Sequence, residues 1–500
     1  MKSKIRFSTR HFILAFIFLV SLLSSLYFAF EAQNLSSDEA YFHLRVAKTI
    51  SGTGYYSFFD ELSYGGRIAY YPILFEYILA FFMLFFDPLF VLKVVPTVLV
   101  SSTVFIVYLL SRYLAQDTRA ALFCAALSGF IPLFIRETLN KASVYSLMIP
   151  LVFWYIYFFL RIKESKKYLS LFILLSFLLP LSHPSAFLLV IAMVFYVIFI
   201  TIESFKMSDI RKEGLLFSLF LILLIEFIIY KKAFLDLGFN IIYQNLPQDI
   251  IREYFTNINL IYLFYSLGIL SIVFGVYSIY YTLFVSRKSN IFFISGLILS
   301  IFLLMFLKLI NINSGLLFVG VAFCALSSIA VSYFLSYIEK SKFFRFRGFI
   351  AGFVFIIFLL TSIIPSINEA RASSQNAVDV YTVETLKWVS ENTPTNATIL
   401  ASPEEGHLVS AVAKRKNVVD TNYLLAPNAQ TRLSDIDIIY QTWIRSRALN
   451  LLNKYDVDYI MISDFSRDKY LTKDIKYAND QVCFIKVFEN EKTKVYKVNC

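Results

Sequence analysis

Apolar residues in this chain come in long unbroken runs. They cover residues 13–30, 89–110, 120–135, 143–160, 169–181, 186–202, 215–230, 260–285, 291–309, 316–338 and 349–364. A membrane-crossing helix needs roughly 20 apolar residues, with about 17–25 usual. The pattern therefore predicts a polytopic α-helical membrane protein with about 11 spans, and with about 13 as an upper count. The run at 169–181 is short, and Lys166 and Lys167 beside it are able to snorkel and lengthen it. The first run exceeds the apolar core of a signal peptide and lacks a small-residue cleavage site, so it reads as an uncleaved span.

Near residue 368 the pattern changes to short, mixed segments. Residues 383–390, 407–414 and 445–455 have helical periodicity. Residues 397–401, 417–419 and 457–462 read as strands, and 482–488 with 493–498 flank "ENEK" as a hairpin. The division expected is a membrane region, 1–366, and a soluble α/β domain, 367–500, of ordinary domain size.

Composition agrees. The chain is 58% hydrophobic, with 54 Phe and 33 Tyr, against about 45–50% apolar in soluble proteins. The formal charge of +11 does not point to nucleic acid, because most basic residues flank apolar runs, where they set orientation. Lys2, Lys4, Arg6 and Arg10 put the N-terminus in the cytoplasm. Arg161, Lys163, Lys166 and Lys167 mark a cytoplasmic loop, as do Lys206, Arg211 and Lys212, then Arg287 and Lys288, then Lys340, Lys342, Arg345 and Arg347.

An even number of crossings must separate such loops. Five apolar segments precede Arg161, so one does not cross. Residues 72–87 fit best: the stretch is short, carries Glu76 and is fenced by Pro72 and Pro88, as in an interfacial or re-entrant helix. The loop 31–71, the loop 136–141, the turn at His183, the loop 231–257 and everything after 364 then share the outer face. Lys231 and Lys232 fall there too, against the trend. Cys124 and Cys324 read as packing residues. Cys483 and Cys500 are able to pair if the tail meets an oxidising space.

Candidate chemistry lies on that outer face. In "SSDEAYFHLR", residues 36–45, Ser36 or Ser37 suits an N-cap, and Asp38 and Glu39 would complement the helix dipole. The same stretch puts Asp38, Phe42 and Arg45 near one helical face. A carboxylate there binds a divalent cation or takes a proton, and Arg grips phosphate. In "FIRETLNK", Arg136 and Glu137 sit at the outer end of a run, as interfacial anchors or site residues. His183 caps a tight turn or faces the site. Glu226 lies inside a run, where an acid is a functional candidate or snorkels. The sequence has no P-loop, HExxH, paired-Cys spacing or GxSxG.

Taken in order, these pieces resemble the GT-C superfamily of membrane glycosyltransferases. The resemblance runs through "DEAYFHLRVAKTI", "GGRIAYYPILFEYILAFF" and "LLSRYLAQDTRAALFCAALSGFIPLFIRETLN". The tail "VETLKWVSENTPTNATILASPEEGHLVSAVAKRKNVVDTNY" resembles the start of the soluble domain of the oligosaccharyltransferase catalytic subunit.

That resemblance implies transfer of a sugar or glycan from a polyprenyl-phosphate or -diphosphate carrier, with inversion, on the extracytoplasmic face. The acceptor is a protein, lipid or glycan. The setting is the multi-pass cell membrane of an archaeon or bacterium, among membrane lipids. Asp38 matches the first-loop aspartate, with Glu39 in reserve, and Glu137 is the nearest match to the second-loop acid. Together Asp38 and Glu137 would hold Mg²⁺ or Mn²⁺. Arg45, Arg67 and His183 would contact the donor. The acceptor motif Trp-Trp-Asp-Tyr-Gly is replaced by Ser402-Pro403-Glu404-Glu405-Gly406, leaving Glu404, Glu405 and His407 as acceptor contacts. Transfer to Asn of proteins is one alternative. A non-catalytic membrane protein or a transporter of lipid-linked glycans is another.

Overall fold

The computed structural model describes residues 9–255, 259–286, 289–478 and 482–500. The orienting residues Lys2, Lys4, Arg6, Arg287 and Lys288 lie outside them.

The membrane region begins with α1 (Thr9–Glu31), α2 (Asp38–Thr53), α3 (Leu74–Met83), α4 (Pro88–Ser101) and α5 (Thr103–Ala115). It continues through α6 (Thr118–Gly129), α7 (Pro132–Thr138), α8 (Tyr145–Leu160), α9 (Lys166–Ser182), α10 (Phe187–Ile202), α11 (Asp209–Leu237) and α12 (Gln248–Tyr254). It closes with α13 (Leu260–Leu267), α14 (Ile269–Tyr280), α15 (Phe292–Phe306), α16 (Ile312–Lys340), α17 (Arg347–Phe358) and α18 (Ile364–Gln375). All 11 apolar runs of the sequence are helical. Among the described residues eight helices are long and apolar enough to cross a membrane, or nine if α6 and α7, bent by 43°, form one span. The difference from 11 is α8 and α9, at 16 and 17 residues. The stretch at 72–87 forms α3, a 10-residue helix, as its short apolar run required.

The packing centre is α16, whose apolar stretch is 89% buried. Helices α10 and α15 come close enough that a Cβ on Gly296 would lie 2.9 Å from the Ala192 carbonyl oxygen. Small residues allow such approach where no hydrophobic effect drives helices together.

The helix after 347 does not stop at 364. It runs through a wide turn (Leu359–Ile363) into α18 and reaches Gln375, so the change of architecture falls about ten residues later than the composition shift suggested. Beyond it come α19 (Val380–Asn392), strands of a sheet, and α20 (Gly406–Leu408), which continues as a wide helical turn to Ala413. Then follow α21 (Ala429–Gln441), α22 (Arg445–Lys454) and α23 (Asp464–Lys469). With β1 (Phe59–Asp60) and β2 (Arg67–Ile68) forming a small hairpin earlier, the sheet strands are β3 (Thr398–Leu400), β4 (Lys416–Asn417), β5 (Tyr459–Ile462), β6 (Phe484–Glu489) and β7 (Lys494–Val498). Their order is β4-β3-β5-β7-β6. The first three are parallel; β7 and β6 add as an antiparallel hairpin. Cys483 and Cys500 are disulfide-bonded.

The loop between α2 and α3 plugs into this sheet region. Asn417 N–H donates to the Leu62 carbonyl, and Tyr64 N–H to Asn417 Oδ1. At the centre Asp420, fully buried, accepts from Ser63 Oγ at 2.6 Å and from Asn417 Nδ2 at 3.1 Å. Arg67 lies 3.5 Å from it and His407 3.6 Å. Burial alone would raise the Asp420 pKa. The Arg67 charge, with the Ser63 and Asn417 bonds, brings it below the ordinary carboxylate range.

Removing one member of such a buried set leaves the others uncompensated, at about 3–5 kcal/mol. We expect Asp420→Ala to lower the thermal midpoint of the detergent-purified chain and to open residues 54–71 to protease. Because the folded pKa is depressed, the stabilisation is present above the ordinary carboxylate pKa and lost as pH falls below about 4. An unchanged midpoint in the variant would refute the clamp.

Candidate functional site

Helix α2 starts where Ser37 caps it: its side chain accepts the Ala40 N–H at 3.2 Å. Gly54, at φ 81°, ends it. Its approach is tied to the loop after α7. Ser36 N–H and Oγ both donate to the Asn140 carbonyl, Ser37 Oγ donates to that of Lys141, and Asn140 Nδ2 donates back to the Asn34 carbonyl. These bonds place Glu137, one turn before Lys141, beside the start of α2.

Two faces of α2 do different work. On one, the Asp38 carboxylate accepts the N–H groups of Leu408 at 2.8 Å and His407 at 3.2 Å. It thereby caps the helical turn of the sheet region, whose orphan N–H groups attract a carboxylate. Phe42 packs its ring against His407 and Tyr71, with centroids 5.1 and 5.6 Å apart. Arg45 makes a bidentate pair with Asp60 at 2.7 and 2.5 Å. The sequence placed Asp38, Phe42 and Arg45 on one face, and so they are. That face, however, is covered by the hairpin and the sheet region.

Several expected roles move accordingly. Arg67 is buried, donating to Ser63 Oγ and to the Leu424 carbonyl, and Arg45 is held by Asp60; neither guanidinium is presented to a donor phosphate. Glu405 is buried on Ser402 Oγ at 3.0 Å, its pKa raised by burial. His407 is 2% exposed and is held neutral, near 4, chiefly by burial. Of the three expected acceptor contacts only Glu404 reaches the surface, paired with Lys469 at 2.6 Å. Gly406 has a packing reason: a Cβ there would meet the Val419 carbonyl at 2.2 Å.

The other face carries Glu39 and His43 at i, i+4 spacing. The Glu39 side chain is 63% exposed, and its Oε1 lies 3.7 Å from His43 Nε2. His43 is buried, and its Nδ1 meets Glu76 Oε1 of α3 at 2.8 Å. His183 stacks on Tyr145, 4.9 Å between centroids, and its Nδ1 accepts the Ser185 N–H at 3.0 Å. The Tyr145 hydroxyl lies within the fields of both Glu39 and Glu137. Tyr254 of α12 feels Glu39 and Glu404. Partial desolvation would raise the Glu39 pKa; the bond to His43 and the charge of that imidazolium outweigh it and hold the carboxyl below 4.5. Burial pulls His43 down, but its bonds to Glu39 and Glu76 win and push it up to about 9; burial takes His183 down to about 4. Near pH 7 the face thus carries an anion, an imidazolium and a neutral imidazole.

Glu137 sits among cations and donors. Arg136 Nε is 3.1 Å and Lys141 Nζ 3.6 Å from it, and Asn313 Nδ2 donates at 3.2 Å. Arg136 also donates to Tyr262 Oη at 2.5 Å. Such partners occupy the oxygens that a hard cation would need. No group of three or more His, Cys, Asp or Glu suited to a metal occurs among the described residues. The expected Asp38–Glu137 cation site therefore does not fit this donor set: one acid caps a helix and the other is already neutralised.

His43, Glu76, Tyr145 and Asn313 went unassigned in the sequence. The signal for the first was the Glu39/His43 spacing, and for the second an acid inside an apolar run. Tyr145 and Asn313 leave no comparable mark.

No protein-family model matches the chain, and no curated protein matches it. Solved structures do. The oligosaccharyltransferase of Archaeoglobus fulgidus aligns at TM-score 0.72 and 15% identity over 100% of this chain and 75% of that one. ArnT from Cupriavidus metallidurans, bound to undecaprenyl phosphate, aligns at 0.58 and 10% over 98% of both. The arabinofuranosyltransferase AftD of mycobacteria aligns at 0.59 and 12% over 99% of this chain and 40% of that one. All are GT-C glycosyltransferases, and at these identities the likeness shows that this chain has the GT-C fold. The A. fulgidus enzyme has also been solved with an inhibitory peptide and a dolichol-phosphate, and with Zn and sulfate.

Histidine NMR checks the electrostatics. We expect His43 to titrate near 9 and His183 near 4. Glu76→Gln should move His43 downward and leave His183 in place. A His43 that titrates at the ordinary 6.5 would break the Glu39–His43–Glu76 chain.

Proposed function

We propose that this chain is a membrane glycosyltransferase, taking a sugar or glycan from a polyprenyl-phosphate or -diphosphate carrier to an acceptor on the face that bears the sheet region. By the basic-loop pattern that face is extracytoplasmic. The observation that carries the reading is an exposed Glu39 backed by His43 and Glu76 on a GT-C fold, with Tyr145 in the fields of both Glu39 and the cation-ringed Glu137. An apolar slot of about 360 Å³ adjoins it, lined by Phe255, Leu263, Phe302, Met305 and Ile312, with Lys308 at the rim. Ile312 is next to Asn313, which holds Glu137, so an isoprenoid tail in the slot would leave its phosphate near Arg136 and Lys141.

In the proposed reaction an acceptor O–H or N–H meets the Glu39 carboxylate. Glu39 takes the proton as the acceptor lone pair attacks the anomeric carbon. The bond from that carbon to the carrier oxygen breaks, and the phosphate leaves with the electron pair. Arg136 and Lys141, whose counter-charges are Glu137 and Glu369, supply N–H donors that stabilise the leaving phosphate as it takes up charge. His43, backed by Glu76, fixes the Glu39 carboxylate. A single displacement inverts the sugar carbon. The acceptor is a protein, lipid or glycan, and it meets Glu404 and Tyr254 on its way to Glu39.

Asp38 serves this chemistry from behind, by holding the sheet region on α2. Burial, with the Asp420 and Glu405 charges, raises its pKa despite the two N–H bonds. We expect Glu39→Gln to cut transfer of labelled sugar from polyprenyl-phosphate donors by about 10²–10⁴-fold in a folded protein. Asp38→Asn, which keeps one oxygen for the Leu408 N–H, should retain most transfer. Wild-type activity should fall on acidification only below 4.5, as Glu39 protonates. Loss in Asp38→Asn with an unchanged melting point, alongside an active Glu39→Gln, would return the chemistry to Asp38.

A further inference from the structure

At the far end of the bundle a second cavity, of about 670 Å³, opens between α6, α14, α16 and α17. Asn313, on Glu137, and Glu339, on the cavity rim, both lie on α16. At 1.5 Å per residue they are about 39 Å apart, so this cavity belongs to no part of the site above. Its volume lies in the range of sites that enclose one ligand.

The lining is graded. Arg119, Glu339 and Arg347 form one end; Phe123, Val331 and Phe358 line the depth. From Arg347 to Phe358 the wall descends about 16 Å along the helix, close to half of a hydrocarbon core of about 30 Å. The crevice is therefore one leaflet deep. Its mouth is cationic. Arg119, Glu339 and Arg347 line it, and the exposed Lys340, Lys342 and Arg345 flank the lining residues Glu339, Phe344 and Arg347 in sequence, with Asp117 beside Arg119. Arg119 is paired with Glu339 at 2.6 Å and lies 3.7 Å from Asp117, which consumes both acids. Arg347 is exposed, its guanidinium 4.6 Å above the Phe344 ring.

We propose that this crevice binds an anionic phospholipid, with one acyl chain between α6, α14, α16 and α17 and the headgroup phosphate on Arg347 and its basic neighbours. The depth matches a chain of one leaflet, and the surplus positive charge at the mouth matches an anionic headgroup. Basic pockets between membrane helices recognise lipid headgroups in this way. A zwitterionic lipid would satisfy the apolar wall and leave the surplus charge unanswered, and a free phosphate would satisfy the mouth and leave the wall empty.

The test uses the full-length chain in nanodiscs of phosphatidylcholine doped with phosphatidylglycerol, with retained lipid read by native mass spectrometry on release. The wild type should keep one phosphatidylglycerol in preference to phosphatidylcholine. Arg347→Ala should lower that preference about fivefold, the worth of one surface cation. Ala351→Trp, which fills the crevice, should abolish retention of both lipids at an unchanged melting temperature. Glu39→Gln should bind lipid as the wild type does, which separates this site from the transfer reaction. Equal retention of the two lipids by the wild type would overturn the proposal. So would undiminished retention in Ala351→Trp, or displacement of the lipid by inorganic phosphate alone, which would mark a bare anion site.

Discussion

The bearing of α2 at the candidate site is set by one carboxylate accepting two backbone N–H groups. Asp38 meets the first free N–H groups of the turn that starts at Gly406, and that turn is locked by close packing on residues 419 and 420. The bond fixes the roll of α2 about its axis. With Asp38, Phe42 and Arg45 pinned beneath the sheet region, Glu39 and His43 are turned the other way. Two adjacent acids, similar in charge and one atom group apart in length, thus acquire opposite environments from helical geometry alone.

The electrostatic balance of the site follows from how its charges are spent. Glu137 is surrounded by cations and donors, whereas Glu39 leans on a single imidazole that is itself supported from behind by Glu76. One acid is held by cations and donors; the other stays anionic and accessible. A reaction that releases an anion and accepts a proton needs these two settings close together, and a cluster with uniform surroundings would not supply both.

Much of the architecture was legible because it is written in local signals. The apolar runs mark the membrane helices, and the hairpin at "ENEK", the helix at 445–454 and the strands at 398 and 459 follow their periodicity. The parity of basic loops singled out the short helix that carries Glu76. What the chain does not write locally is which face of α2 is covered. The partners of Asp38, Arg45 and Arg67 lie in a hairpin and a sheet whose docking has no period of its own. Arg67 looks free in the sequence, yet it ends 357 residues from its carbonyl partner. The same holds for the helix that outlasts its apolar stretch into α18: composition marks where lipid contact ends, not where backbone hydrogen bonding does.

The Asp38 latch also bears on biogenesis. Its partners lie 369 and 370 residues further along the chain, so a ribosome must complete almost the whole membrane bundle before the first loop can be locked. Until then Glu39 has no fixed bearing, and a half-made chain holds its acids without their alignment. The latch thus makes the bearing of the first loop depend on the docking of a region made only after the whole membrane bundle.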